Sequence, residues 1–188
     1  MDRLAQRSKG MNQGAASAVA AGEPTTSPFE LLYRSCRDDL YAYVASLLRD
    51  RVAAEDVVGL AFERAYRKRS AFKPDRGSSR AWLFAIARNA ALDELRRRRR
   101  SASLVAEVAD PLDDGPAVES ADRALRRVAV RSALASLEPR ERELVALKFH
   151  GGLTNAEIAE LLGTSETNAG TQLHRTIEKL RRACNENS

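Results

Sequence analysis

The sequence has little of what metal sites, disulfide frameworks and β-sheets are made from. It contains two cysteines, Cys36 and Cys184, and two histidines, His150 and His174. The cysteines stand far apart, with neither Cys-x-x-Cys nor Cys/His spacing. That excludes a zinc knuckle and a disulfide framework, and predicts reduced thiols in a cytoplasmic protein without a metal. Aromatic residues make up only 5% of the chain. A β-sandwich would use more of them, together with β-branched residues, whereas small helical bundles rich in Ala and Leu fit. No apolar run is long enough to cross a bilayer, and AASAVAAG near the N-terminus is too short and too Ala-rich for a signal peptide, so no membrane partner is expected. A phosphate loop and a credible Ser/His/Asp or Cys/His set are missing too. The chain is therefore not expected to be an enzyme, and no catalytic residue, cofactor or small-molecule substrate is assigned.

What the sequence has is positive charge, unevenly spread. The net charge is +5 and the pI about 9.5, which favours an acidic partner such as nucleic acid. The chain is organised around Ala81–Arg100, AWLFAIARNAALDELRRRRR. This stretch lacks Gly and Pro and is built from strong helix formers. On a helical wheel Trp82, Leu83, Ile86, Ala87, Ala90 and Ala91 share one arc, while Arg88, Asn89, Asp93 and Arg96 gather opposite. One face is built to pack; the other carries donors suited to phosphates and base edges. The five closing arginines repel one another and favour a polyanion nearby.

The rest of the chain divides around a linker. Residues 1–27 lack an apolar period and are predicted to be a disordered tail. Ser27-Pro28 marks a helix start, with Ser as cap and Pro in the first turn. A second helix is predicted over 53–70, then a loop, AFKPDRGSS, then the organising helix. Residues 101–120 carry two prolines and several acids and are predicted to be a flexible acidic linker, roughly 65 Å long when fully extended. Helical signals resume at 121. Thr154 and Glu157 form a capping box, Gly163 ends a short helix, and Ser165 caps a final one. Thr154–Arg175 therefore has the grammar of a helix-turn-helix, whose second helix would enter the major groove. The side chains placed there are Glu166, Thr167, Asn168, Thr171 and Gln172, with Arg175 and Lys179 further along; Thr154 and Ser165 join this set at the two caps. The expected fold is all-α, with two small helical units on a tether: 28–100 and 121–184, with 185–188 as a tail.

Two segments resemble one family. AAEDVVGLAFERAYRKRSAFKPDRGSSRAWLFAIARNAALDELRRRRR is similar to region 2, and LASLEPRERELVALKFHGGLTNAEIAELLGTSETNAGTQLHRTIEKLRR to region 4, of the extracytoplasmic-function (ECF) sigma factors of the sigma-70 family, in the same order. The resemblance implies a factor that binds RNA polymerase core and directs it to promoters. It implies clamp contacts by Glu55, Asp56, Leu60, Phe62 and Glu63. It implies minus-ten recognition and capture of the melted non-template strand by Lys73, Arg76, Ser78, Arg80, Arg88, Asn89, Asp93, Arg96 and Arg97. It further implies duplex reading at the minus-thirty-five element by the last helix, and an anti-sigma factor as a partner. Gly59 and Leu60 depart from the usual Gln and acid, and Asn168-Ala169-Gly170 replaces a more basic string. The first departure predicts a weakened or reshaped clamp contact; the second predicts weaker phosphate anchoring, which a lysine at 170 would restore, or an altered upstream sequence. A stand-alone helix-turn-helix regulator, binding an operator without polymerase core, accounts for Thr154–Arg175 but leaves Trp82–Arg100 without a task.

Overall fold

The computed structural model describes residues 27–102 and 121–186. The predicted tail and linker lie outside the described residues, except for Ser27, Ser101 and Ala102. Among the described residues there are seven α-helices, two 3₁₀ turns and no strand. Helix α1 (Pro28–Leu48) starts where the Ser-Pro signal placed it: the Ser27 hydroxyl accepts a hydrogen bond from the Glu30 N–H at 3.1 Å. It ends on Arg49 in the left-handed region, φ 53°. Helix α2 (Arg51–Arg67) begins two residues before the predicted start, because the Asp50 carboxylate caps it by accepting from Ala53 N–H at 3.0 Å. The loop contains the two 3₁₀ turns, Arg69–Ala71 and Pro74–Arg76. Helix α3 (Ser79–Ala102) runs two residues past Arg100.

Helices α1, α2 and α3 pack as a bundle. Leu83, Ala87, Ala90 and Ala91 are buried as the wheel predicts, and Trp82 and Ile86 are half-buried. Phe84 lies outside the predicted arc yet is fully buried, its ring 5.3 Å from that of Tyr43. The arc is wider than a one-sided helix needs because α3 has neighbours on more than one side.

The second unit comprises α4 (Ala121–Ala135), α5 (Pro139–Phe149), α6 (Asn155–Leu162) and α7 (Glu166–Glu186). The Thr154–Glu157 capping box forms in both directions, and Gly163 takes the left-handed cap at φ 66°. A further box, which the sequence reading missed, starts α5: Glu138 and Glu141 cap each other's backbone N–H groups. Arg142 donates to the carbonyls of Leu134, Ala135 and Leu137, covering the orphan acceptors at the end of α4.

The two units share one hydrophobic cluster. Helix α5 packs on α1, and α6 touches α3, so Leu144, Ala146, Leu147, Leu153 and Ile158 continue the hydrophobic cluster of the first unit. The reason lies in α5 itself. Its five consecutive residues Glu143–Leu147 are all buried, and five consecutive helical positions face every direction. A helix covered all round must sit between two layers. Helix α7 supplies one and α1 the other.

Candidate nucleic-acid interface

The polar side of α3 and the loop before it meet α5 and α6 across a seam. Arg88 Nε donates to Glu143 Oε1 at 2.7 Å, and Tyr43 Oη donates to the same oxygen at 3.4 Å. Glu143 is only 8% exposed, and removing a polar group from water is costly unless such partners satisfy it. Burial pushes the Tyr43 phenol well above its usual range, and the neighbouring carboxylate pushes it further.

At one edge of the seam Arg80 gathers several acceptors. Its guanidinium pairs with Asp39 and donates to the carbonyls of Gly151 and His150, the latter at 3.0 Å. It also lies 3.4 Å from the buried Cys36 Sγ. At the other edge Ser78 Oγ donates to Glu157 and accepts from Ala81 N–H. Burial alone would raise the Glu157 carboxyl, but hydrogen bonds from Ser78 and Thr154 outweigh it and hold the group below its usual range. Beside the Ser78–Glu157 pair lies a cavity of about 450 Å³, lined on one side by Phe72, Lys73, Trp82 and Asn89 and on the other by Glu160 and Leu161. The Phe72 and Trp82 rings pack at 5.3 Å. Of Arg76, only the backbone in the second 3₁₀ turn is described.

Three arginines of the run are paired, mostly along their own helix. Arg96 bonds Asp93 at 2.9 Å, Arg97 bonds Glu94 at 2.8 Å, and Arg98 bonds both Glu94 at 2.8 Å and Asp50 at 2.7 Å. The arginines 97 and 98 hold the Glu94 carboxyl down at about 2. Pairs on an open surface contribute about 0–1 kcal/mol each and can yield to a phosphate. On α2, Glu55, Asp56 and Glu63 are exposed, and Leu60 is 37% exposed beside a shallow groove containing Val52, Asp56 and Arg97. Phe62 does not join them. It is 6% exposed, edge-on to Phe29 at 6.4 Å and tilted against Tyr33 at 4.7 Å, so its expected place on a docking face is corrected to the bundle core.

On the helix-turn-helix, Ser165 caps α7 by accepting from Asn168 N–H at 3.2 Å. The outer face carries a ladder one turn apart: Asn168 donates to Thr164 Oγ1 at 2.6 Å, and Gln172 donates to Asn168 Oδ1 at 3.1 Å. Glu166, Thr167, Thr171 and Arg175 are exposed on the same helix, and Thr171 Oγ1 bonds the Thr167 carbonyl. Lys179, further along, pairs with Glu141 at 2.7 Å. Gly170 lies where α7 passes the start of α6. A Cβ there would stand 3.3 Å from Asn155 Nδ2, so the position faces the partner helix and not an open surface for phosphate.

The roles of Glu143, Asp39 and Tyr43, and the pairing of Glu157 with Ser78, were missed by sequence reasoning. Their partners lie 41 to 100 residues away, a distance over which helical periodicity carries no signal. The one local hint was Glu143 itself, an acid set beside LVAL.

Among the described residues no helix is long and apolar enough to cross a membrane, and no cluster of His, Cys, Asp and Glu could hold a metal. Residues 32–101 match the family model for sigma-70 region 2, and residues 127–180 the model for sigma-70 region 4. The chain is 31% identical over 170 residues to the ECF RNA polymerase sigma factor SigL of Mycobacterium tuberculosis, covering 89% of this chain and 92% of that one. It is 33% identical over 155 residues to the RNA polymerase sigma factor CarQ of Myxococcus xanthus, with 81% and 87% covered. Its fold is similar to the sigma factor RpoE of Bartonella quintana, solved in complex with the anti-sigma factor NepR: TM-score 0.70, 22% identity, 82% and 95% covered. It is also similar to CnrH, solved with the cytosolic domain of CnrY: TM-score 0.60, 26% identity, 85% and 89% covered. With regions 2 and 4 in order and relatives matched across nearly their whole length, the chain belongs to the ECF sigma factors of the sigma-70 family.

Proposed function

We propose a division of promoter recognition between the two units. Glu55, Asp56, Leu60 and Glu63 on α2 dock on polymerase core. The loop side chains Lys73, Arg76 and Ser78, with Arg80, Arg88, Asn89, Asp93, Arg96 and Arg97, serve the minus-ten element and the opened non-template strand. Unstacking a base costs a few kcal/mol, which a rigid basic surface can offset. Helix α7 reads duplex DNA at the minus-thirty-five element through Asn168 and Gln172, residue types that bond adenine edges in pairs, with Thr167, Thr171 and Arg175 beside them. Thr154, Ser165 and Glu166 set the helix-turn-helix and its entry into the groove. The polymerase supplies the chemistry; this chain acts in the cytoplasm as a specificity subunit and not as an enzyme.

The observation that carries this reading is the exposed Thr164–Asn168–Gln172 ladder on the second helix of a capped helix-turn-helix. An anti-sigma factor is proposed as a further partner, because a protein of the same fold was solved in complex with one. Run-off transcription with purified core enzyme tests the function. Start-site selection that depends on this chain supports it, and specific operator binding with no effect on core favours the stand-alone regulator.

A further inference from the structure

The Thr164–Asn168–Gln172 ladder leaves its middle amide with few free bonding groups. An asparagine side chain has two N–H donors on its nitrogen and two lone pairs on its oxygen. In Asn168 one N–H is spent on Thr164 Oγ1 at 2.6 Å, and one lone pair on Gln172 Nε2 at 3.1 Å. One donor and one acceptor remain. In the major groove adenine offers one acceptor, N7, and one donor, N6–H, which is the complement of that remaining pair. Guanine offers two acceptors, N7 and O6, and asks for two donors.

Thr164 is held independently of the helix it restrains. Its N–H donates to the Ala159 carbonyl at 2.9 Å, just past Gly163 in the left-handed cap of α6. Asn168 is fixed from its own side, its backbone N–H donating to Ser165 Oγ at 3.2 Å. It stands in the first turn of α7, the part of a recognition helix that meets base edges. We infer that Thr164 is a positioning residue for base choice: its hydroxyl takes up the second amide N–H of Asn168 and so sets adenine over guanine at one position of the upstream element. This rests on the duplex reading assigned to α7. Thr164 itself need touch no base, because it acts through Asn168. Gln172 restrains the same amide but occupies only its oxygen, so it leaves the donor count of Asn168 unchanged.

The test uses the full-length chain assembled on core polymerase, with duplex promoter DNA randomised over the upstream element and the bound fraction sequenced. Wild type is expected to enrich adenine at the position Asn168 faces, identified as the one where Asn168→Ala loses the preference. Thr164→Val keeps the shape of the side chain and removes the hydroxyl. It is expected to admit guanine at that position and to lower the adenine-to-guanine ratio by about ten-fold, the fold-change of one base-edge contact. Preferences at other positions and the salt dependence stay unchanged. Thr164→Ser keeps the hydroxyl and is expected to keep the wild-type ratio. A Thr164→Val chain that weakens binding to all sequences alike overturns the inference, as does a Thr164→Ser chain that relaxes as far as Thr164→Val. Should Thr164→Val lose its helical circular dichroism, Thr164→Ala decides on the same ratio. Wild type with no upstream preference that Asn168→Ala removes overturns the reading of α7 itself. A preference that Asn168→Ala removes and Thr164→Val leaves at the wild-type ratio overturns the role of Thr164 alone.

Discussion

The two units are held together by different means. The α1–α3 bundle has long helices of 21, 17 and 24 residues around a core that holds Phe62, edge-on to half-buried Phe29, at one end and Tyr43 against Phe84 at the other. The α4–α7 unit includes helices of only 11 and 8 residues, short enough that caps decide whether they form. Its core is aliphatic, and one side of α5 is covered by the other unit. The interior of the first unit is its own, while the second draws part of its cover from the first. Partner binding is built onto a rigid bundle in one case and onto a cap-dependent one in the other.

The comparison is broken most strongly at Phe62. Phe62→Ala removes a buried ring and is expected to cost about 3–5 kcal/mol in denaturant unfolding. Leu60→Ala, two positions away and half exposed, is expected to change stability by less than about 0.5 kcal/mol while weakening co-elution with polymerase core. Equal stability losses at the two positions would put Leu60 in the core as well.

In the second unit, Asn168→Ala with Gln172→Ala is expected to weaken binding to a minus-thirty-five duplex by about 1–3 kcal/mol for each lost bidentate contact, without altering single-strand binding by the first unit. Arg175→Ala is expected to weaken duplex binding on all sequences alike and to lower the salt slope by about one. Competition binding against altered upstream sequences separates the two.

Caps come next in size. Thr154→Ala is expected to cost about 1 kcal/mol and to raise amide exchange over α6 while leaving α2 protected. Exchange rising equally in α2 would mean that the units unfold as one.

The smallest expected effect is electrostatic. Glu94 has its carboxyl lowered from 4.5 to about 2 by hydrogen bonds from Arg97 and Arg98. A group depressed on folding stabilises fully above its unfolded pKa, and that contribution fades as pH falls through the folded value. Acid unfolding of the first unit between pH about 4.5 and about 2 should thus be shallower in Glu94→Gln than in wild type. Discounted for solvent around the arginines, the difference is modest.

Much of this was legible in the sequence because it is local. Ser27-Pro28, the Thr154–Glu157 box, Gly163 and the apolar arc of α3 depend on neighbours within one or two helical turns, and these formed where the spacing placed them. Phe62 was misplaced because a resemblance assigns a residue to a surface without weighing its burial. The neighbours of Lys179 and Gly170, Glu141 and Asn155, stand on other helices and leave no mark in the sequence around either residue. The seam was invisible for a related reason: Arg88 on the polar side of α3 looks the same whether it meets water, a phosphate or Glu143.

The most direct test of the account is a distance between the units. Labels at Ser70→Cys and Arg181→Cys, in a chain carrying Cys184→Ser, report it by single-molecule energy transfer. One short distance in the free chain, replaced by a much longer one when core enzyme and promoter are added, is the expected result. A free chain already spread over long distances, or a distance that core and promoter leave unchanged, would contradict it.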